Sequence, residues 1–89
     1  MVKRRSKLEI MLDVLRVVHD GISKPTRIMY NANMSWNPTQ RVLEKLIDEG
    51  HILVEEKPSK QRAKKRYYIT EKGLNILRYF KGAERLIEI

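Results

Sequence analysis

Leu8, Met11, Leu12, Leu15 and Val18 recur at helical spacing, and Glu9, Asp13, Arg16 and Asp20 occupy the other side. That period predicts an amphipathic helix with a wide buried face. Ser6-Lys7-Leu8-Glu9 offers a capping box at its start, and Gly21 can take the left-handed conformation that ends it, so the element runs over about residues 6–20. A second, short helix follows. Ser23 offers its capping hydroxyl, Pro25 sits in its first turn, and Ile28, Met29 and Ala32 share one side. Asn31 and Asn33 tolerate positive φ, so the chain turns near Asn33. Ser35 is then a fresh N-cap with Pro38 in the first turn. Val42, Leu43, Leu46 and Ile47 mark the buried side of a third helix that ends at Gly50.

The pattern changes after Gly50. Residues 52–56 and 66–70 are β-branched and aromatic enough to form strands, and Pro58-Ser59 marks the loop between them. Thr70 caps a last helix carrying Leu74, Leu77, Phe80, Ala83 and Ile87, in which Gly73 lets the helix pack closely on the preceding strand. The expected fold is mainly α with a small β-hairpin (α+β): a winged helix-turn-helix of order α-α-α-β-β-α. Residues 1–89 form one domain, with a basic tail at 1–5, the helix-turn-helix at about 23–49, the wing at about 52–70 and a C-terminal helix at about 71–88. There is no repeat, low-complexity tract or linker.

Charge adds a partner to this picture. Nineteen Lys and Arg stand against eleven Asp and Glu, for a formal charge of +8. Such an imbalance points to an anionic partner: nucleic acid, acidic membrane surface or acidic protein. The absence of cysteine excludes disulfides, thiolate nucleophiles and the commonest structural zinc sites. Glu9, Asp13 and Arg16 interrupt the apolar segment behind the basic start, so it reads as neither signal peptide nor membrane span, and a soluble intracellular protein is expected. His19 and His51 fall at helix ends without a partner pattern, and no Gly-rich phosphate loop or metal-ligand spacing is present. No catalytic activity, cofactor, metal or small-molecule ligand is expected.

In a helix-turn-helix the second helix of the pair enters the major groove, with its N-terminal residues on base edges. That geometry puts Asn37, Gln40 and Arg41 forward as readers: amides pair bidentately with adenine and Arg with guanine. Glu44 and Lys45 point outward beside them. A solvated polar face is the plain alternative. Between Lys57 and Arg66 the cations Lys60, Arg62, Lys64 and Lys65 have no acid among them, as suits a wing on phosphates. The expected backbone contacts are Arg4, Arg5, Lys24, Arg27, Ser35, Lys45, Lys60, Arg62, Lys64 and Lys65. Trp36 fits either core-edge packing or base stacking, and of the adjacent Tyr67 and Tyr68 one points inward and the other outward. Double-stranded DNA is the partner these residues favour. Docking of the basic surface on an acidic protein is the reading from another class. RNA lacks the exposed aromatic platforms it would need, and a membrane role lacks a suitable helix.

The stretches Ser6-Lys7-Leu8-Glu9-Ile10, Thr26-Arg27-Ile28-Met29-Tyr30 and Ala32-Asn33-Met34-Ser35 resemble the small archaeal winged-helix DNA-binding proteins described as chromatin-associated. Tyr68-Ile69-Thr70-Glu71-Lys72-Gly73 is shared with many winged-helix regulators and supports the fold more than the family. The resemblance implies a transcription regulator or chromatin protein, cytoplasmic and nucleoid-associated. It also implies a homodimer held by an antiparallel coiled coil of C-terminal helices. Ile76, Phe80, Ala83 and Ile87, spaced four, three and four, are the candidate seam, with Leu74 and Leu77 packing on the domain itself. Packing of the whole stripe inside the domain is the alternative. The chain departs from the family in a shorter final helix, about 18 residues or about 27 Å, and in a longer, more basic wing.

Overall fold

A computed structural model describes residues 5–58 and 64–86. The first helix, α1, spans Lys7–His19 and starts on the expected capping box. Glu9 N–H donates to Ser6 Oγ at 3.1 Å, and Ser6 N–H donates to Glu9 Oε1 at 3.3 Å. Ser6→Ala is expected to lower stability by about 1 kcal/mol, read as a lower urea midpoint at unchanged slope.

Helices α2 (Pro25–Asn31) and α3 (Trp36–Asp48) follow. All three helices close with the same double hydrogen bond. Ile22 N–H reaches Val17 O at 3.4 Å, Met34 N–H reaches Met29 O at 3.0 Å, and His51 N–H reaches Leu46 O at 2.8 Å. Each closure turns through a left-handed residue: Gly21 at φ +98°, Asn33 at +56° and Gly50 at +82°. The three turn residues therefore stand where the sequence placed them. Ser23 does not cap α2. The N-cap is Lys24, with no side-chain bond, and Ser23 instead accepts Tyr67 N–H on its carbonyl at 3.0 Å. Its backbone serves the hairpin, and the helix begins one residue later.

The hairpin pairs β1 (Ile52–Lys57) with β2 (Lys64–Ile69), antiparallel, in the register Ile52↔Ile69 through Lys57↔Lys64. Both strands reach further toward the loop than expected, and Thr70 has left the ladder to serve α4 (Glu71–Leu86). Thr70 Oγ1 accepts Gly73 N–H at 3.2 Å and donates to Gly50 O at 2.6 Å, which joins the α3 end to the α4 start. As alternation requires, Tyr67 is buried and Tyr68 exposed.

The core gathers Val14, Leu15 and Val18 of α1, Ile28 and Ala32, Leu43 and Leu46 of α3, Ile52 and Tyr67. Leu8, expected on the buried side, is 49% exposed, because the core is centred beyond the first turn of α1. Thr39 is fully buried, and its hydroxyl donates to Ser35 O at 2.8 Å, so no buried donor is left unpaired there. A Cβ on Gly73 would collide with the His51 carbonyl oxygen and approach Ile69 Cγ1 to 2.8 Å. The close approach expected of this glycine is therefore to β2 and to the turn before β1 together. Among the described residues, no helix is long and apolar enough to cross a membrane.

Candidate nucleic-acid interface

Helix α3 buries Thr39, Leu43 and Leu46. At 100° per residue the opposite side carries Asn37, Arg41 and Glu44, all exposed. Two flanks border that ridge. Toward α1, a cleft of about 240 Å³ is lined by Lys7, Ile10, Met11, Arg41, Val42 and Lys45, so three cations from two helices border one apolar floor. Lys7 belongs with Lys3, Arg4 and Arg5 to a basic cluster that by sequence suits phosphates flanking the recognition helix, and the packing of α1 on α3 brings it beside Arg41 and Lys45.

The other flank is acidic. Tyr67 is buried, and that burial, followed by the charges of Glu44 and Glu56, raises its hydroxyl pKa above the ordinary 10.0. Glu44 on α3 and Glu56 on β1 thus act on the same hydroxyl. Gln40, expected to point outward with Asn37 and Arg41, is half-buried, on the side of the helix shared with Trp36 and Ile47. Asn37 and Arg41 remain exposed.

The start of α3 is electrostatically open. Ser35 is its N-cap by position, but the hydroxyl makes no capping bond. The Ser35 carbonyl takes both the hydroxyl and the N–H of Thr39, the latter at 3.2 Å. The first-turn amides therefore lack the side-chain cap that α1 has, and they point the positive end of the helix dipole outward. Lys24 and Arg27 are exposed at the start of α2. Trp36 is 45% exposed and Tyr30 76% exposed, so neither is a core residue.

Arg5 is engaged inside the protein. Its Nη1 donates to Asp13 Oδ2 at 3.0 Å and to Ala32 O at 2.7 Å, and its Nη2 donates to Asn33 O at 2.9 Å. Both terminal nitrogens of Arg5, expected on a phosphate, thus have partners within the fold. Arg4, Lys60 and Arg62 lie outside the described residues. Lys64 and Lys65 belong to β2 rather than to the loop, and they face opposite sides of the hairpin. Register places Glu56 opposite Lys65 and Glu55 opposite Arg66, while Lys57 faces Lys64. The wing is therefore charge-balanced nearer its base and one-signed from the Lys57↔Lys64 pair outward.

Along α4, Ile76 and Leu77 pack partly buried against the core. Ile76, a residue of the expected seam, is thus half-buried. Phe80 and Ala83 are half-buried, and Phe80 meets the 69% exposed Tyr79 edge-on, with centroids 5.3 Å apart. Ile87 lies outside the described residues. Leu74 and Leu77 floor a groove bordered by Arg16, His19, Arg78 and Lys81. Among the described residues, no group of His, Asp and Glu is placed to hold a metal ion.

A family profile described as winged helix-turn-helix matches residues 4–88. An uncharacterized protein of Methanocaldococcus jannaschii, MJ0287, is 30% identical over 70 residues, or 79% of this chain. The chain spans 64% of that relative's length. Among solved structures, Sso10a-2, a DNA-binding protein from Sulfolobus solfataricus, superposes with a TM-score of 0.71 at 29% identity, covering 94% of this chain and 83% of that one. A PadR family transcription regulator from Clostridium difficile R20291 gives 0.77 at 15% identity, covering 89% and 90%, a likeness of fold. The archaeal relatives agree with the resemblance read from the helix-turn-helix. The two solved proteins are described as a DNA-binding protein and a transcription regulator, not as enzymes.

Proposed function

The chain belongs to the winged helix-turn-helix family, and on that premise we propose that it is a double-stranded DNA-binding protein, a transcription regulator or chromatin protein, that lays α3 in the major groove. The observation that carries this reading is the meeting of Lys7, Arg41 and Lys45 beside the exposed ridge of α3. Asn37 and Arg41 face base edges, Asn37 suited to adenine and Arg41 to guanine, with Gln40 at the margin. Lys7, Lys24, Arg27, Ser35, Lys45, Lys64 and Lys65 hold phosphates. Arg4, Lys60 and Arg62 join them on charge alone. The description of Sso10a-2 as DNA-binding supports the assignment. Two copies pair through α4 along Phe80, Ala83 and Ile87, with Ile76 at the domain edge, and the protein acts in the cytoplasm on the nucleoid.

Fluorescence-anisotropy titration of random-sequence duplex, with the mass in solution measured alongside, tests this. The triple variant Lys7→Ala, Arg41→Ala, Lys45→Ala is expected to bind roughly 10- to 100-fold more weakly, with a log-log salt slope shallower by about 2 per protomer, for the two phosphate-holding lysines it removes. Absence of duplex binding by the unaltered protein at low salt would sink the proposal. Docking on an acidic protein would then take its place, with the groove of Leu74 and Leu77 under Arg16, His19, Arg78 and Lys81 as its seat.

A further inference from the structure

We infer that Arg5 is a positioning residue, which pins the turn between α2 and α3 to α1 and thereby sets the angle at which α3 is presented. Its consequence for DNA rests on the function proposed above. The three bonds of Arg5 join segments 8, 27 and 28 positions away. Two of the acceptors, the carbonyls of Ala32 and Asn33, lie at and just past the C-cap of α2, where a helix leaves carbonyls without partners. Asn33 is also the left-handed residue of that turn, a conformation uncommon outside glycine.

Helix α2 needs outside support. It has seven residues and no side-chain cap at its start, and a helix so short is not stable alone. Its placement, and the direction in which the chain leaves it for α3, are set by what grips its ends. A guanidinium suits the task because its planar fork spans two successive carbonyls and a carboxylate at once. Asp13 orients the fork: Oδ2 accepts from Arg5, and Oδ1 accepts Arg16 Nη1 at 3.3 Å. Arg5 and Asp13 side chains are 30% and 32% exposed, so the pair is shielded more than a surface ion pair.

This makes the sign of one substitution decisive. Asp13 is an acid on a basic protein, and if it acts through charge alone its removal strengthens attraction to DNA. If it orients Arg5, its removal weakens binding. Arg5→Lys complements it by keeping the charge while losing the fork.

The test uses Arg5→Lys, Asp13→Ala and the two combined. In the free protein, amide exchange at Asn33 and Met34 is expected to quicken about three- to ten-fold over that at Leu43 and Leu46, the effect of losing about one hydrogen bond. Against random duplex, each variant is expected to bind about three- to ten-fold more weakly at unchanged salt slope, and the combined variant no more weakly than either alone. A slope shallower by about 1 for Arg5→Gln, which removes the charge, would make Arg5 a phosphate contact and overturn the inference. Tighter binding by Asp13→Ala, or unchanged exchange at the turn, would overturn it as well. If Asp13→Ala fails to fold, Arg5→Lys decides alone. An unaltered protein that ignores duplex DNA removes the proposed function, and the exchange measurement still decides whether Arg5 holds the turn.

Discussion

Raising monovalent salt from about 50 to 200 mM is expected to weaken binding to random-sequence duplex by roughly 10⁵-fold. The basis is a count of cations that face outward. Lys7, Lys24, Arg27, Lys45 and Lys64 of the wing give about five phosphate contacts per protomer, or about ten in a dimer, and a log-log slope near −9. Arg5 is left out of that count because both its terminal nitrogens are bonded within the fold. Lys65 and Arg66 contribute less than their charge suggests, since each stands opposite a glutamate in the ladder. Anisotropy titrations at four or five salt concentrations measure the slope. A flat dependence would remove phosphate binding as the source of affinity, and with it the proposed function.

Gly73→Ala is expected to destabilise the domain by about 2–3 kcal/mol, the range for forced overpacking, and to lower Tm by roughly 10–20 °C in a chain of this size. The added methyl has nowhere to go. One neighbour is the His51 carbonyl, fixed because it accepts Thr70 N–H at 3.0 Å, and the other is Ile69 on β2. Relief requires α4 to lift away from the turn that joins α3 to β1. Gly82, later in the same helix, has nothing within 4 Å of the corresponding position. Gly82→Ala should therefore stabilise by up to about 1 kcal/mol through helix propensity alone. Opposite signs for one substitution at two sites of one helix, read by thermal unfolding, separate packing from propensity. Equal effects at both would mean that α4 does not sit as closely as described.

The sequence made the start of α1 and the closures of α1, α2 and α3 legible because their chemistry is local. A serine with a glutamate three places on, and a glycine or asparagine at each closure, act within a single turn of chain. What escaped it depends on residues far apart. Leu8 and Gln40 fit the helical periods of their segments, but their burial is decided by where the neighbouring elements stop. Arg5 belongs by composition to the basic tail, and only the fold brings it to Asp13 and to two carbonyls near residue 33. Glu55 and Glu56 lie just before the basic run, yet the register turns them into its direct neighbours. The cationic cleft of Lys7, Arg41 and Lys45 was hidden for the same reason. In α4, spacing alone could not show that Ile76 packs against the core.

The bond from Tyr67 N–H to Ser23 O gives the hairpin the mechanics of a cantilever. Near that end Ile52 and Tyr67 are embedded in the core, while Glu56, Lys57, Lys64 and Lys65 are exposed. A load applied to the outer pairs is resisted by the two-stranded ladder alone and deflects the free length about its clamped root. The hydrophobic centre carries little of that strain, so the outer pairs can bend while the frame holding α3 keeps its shape.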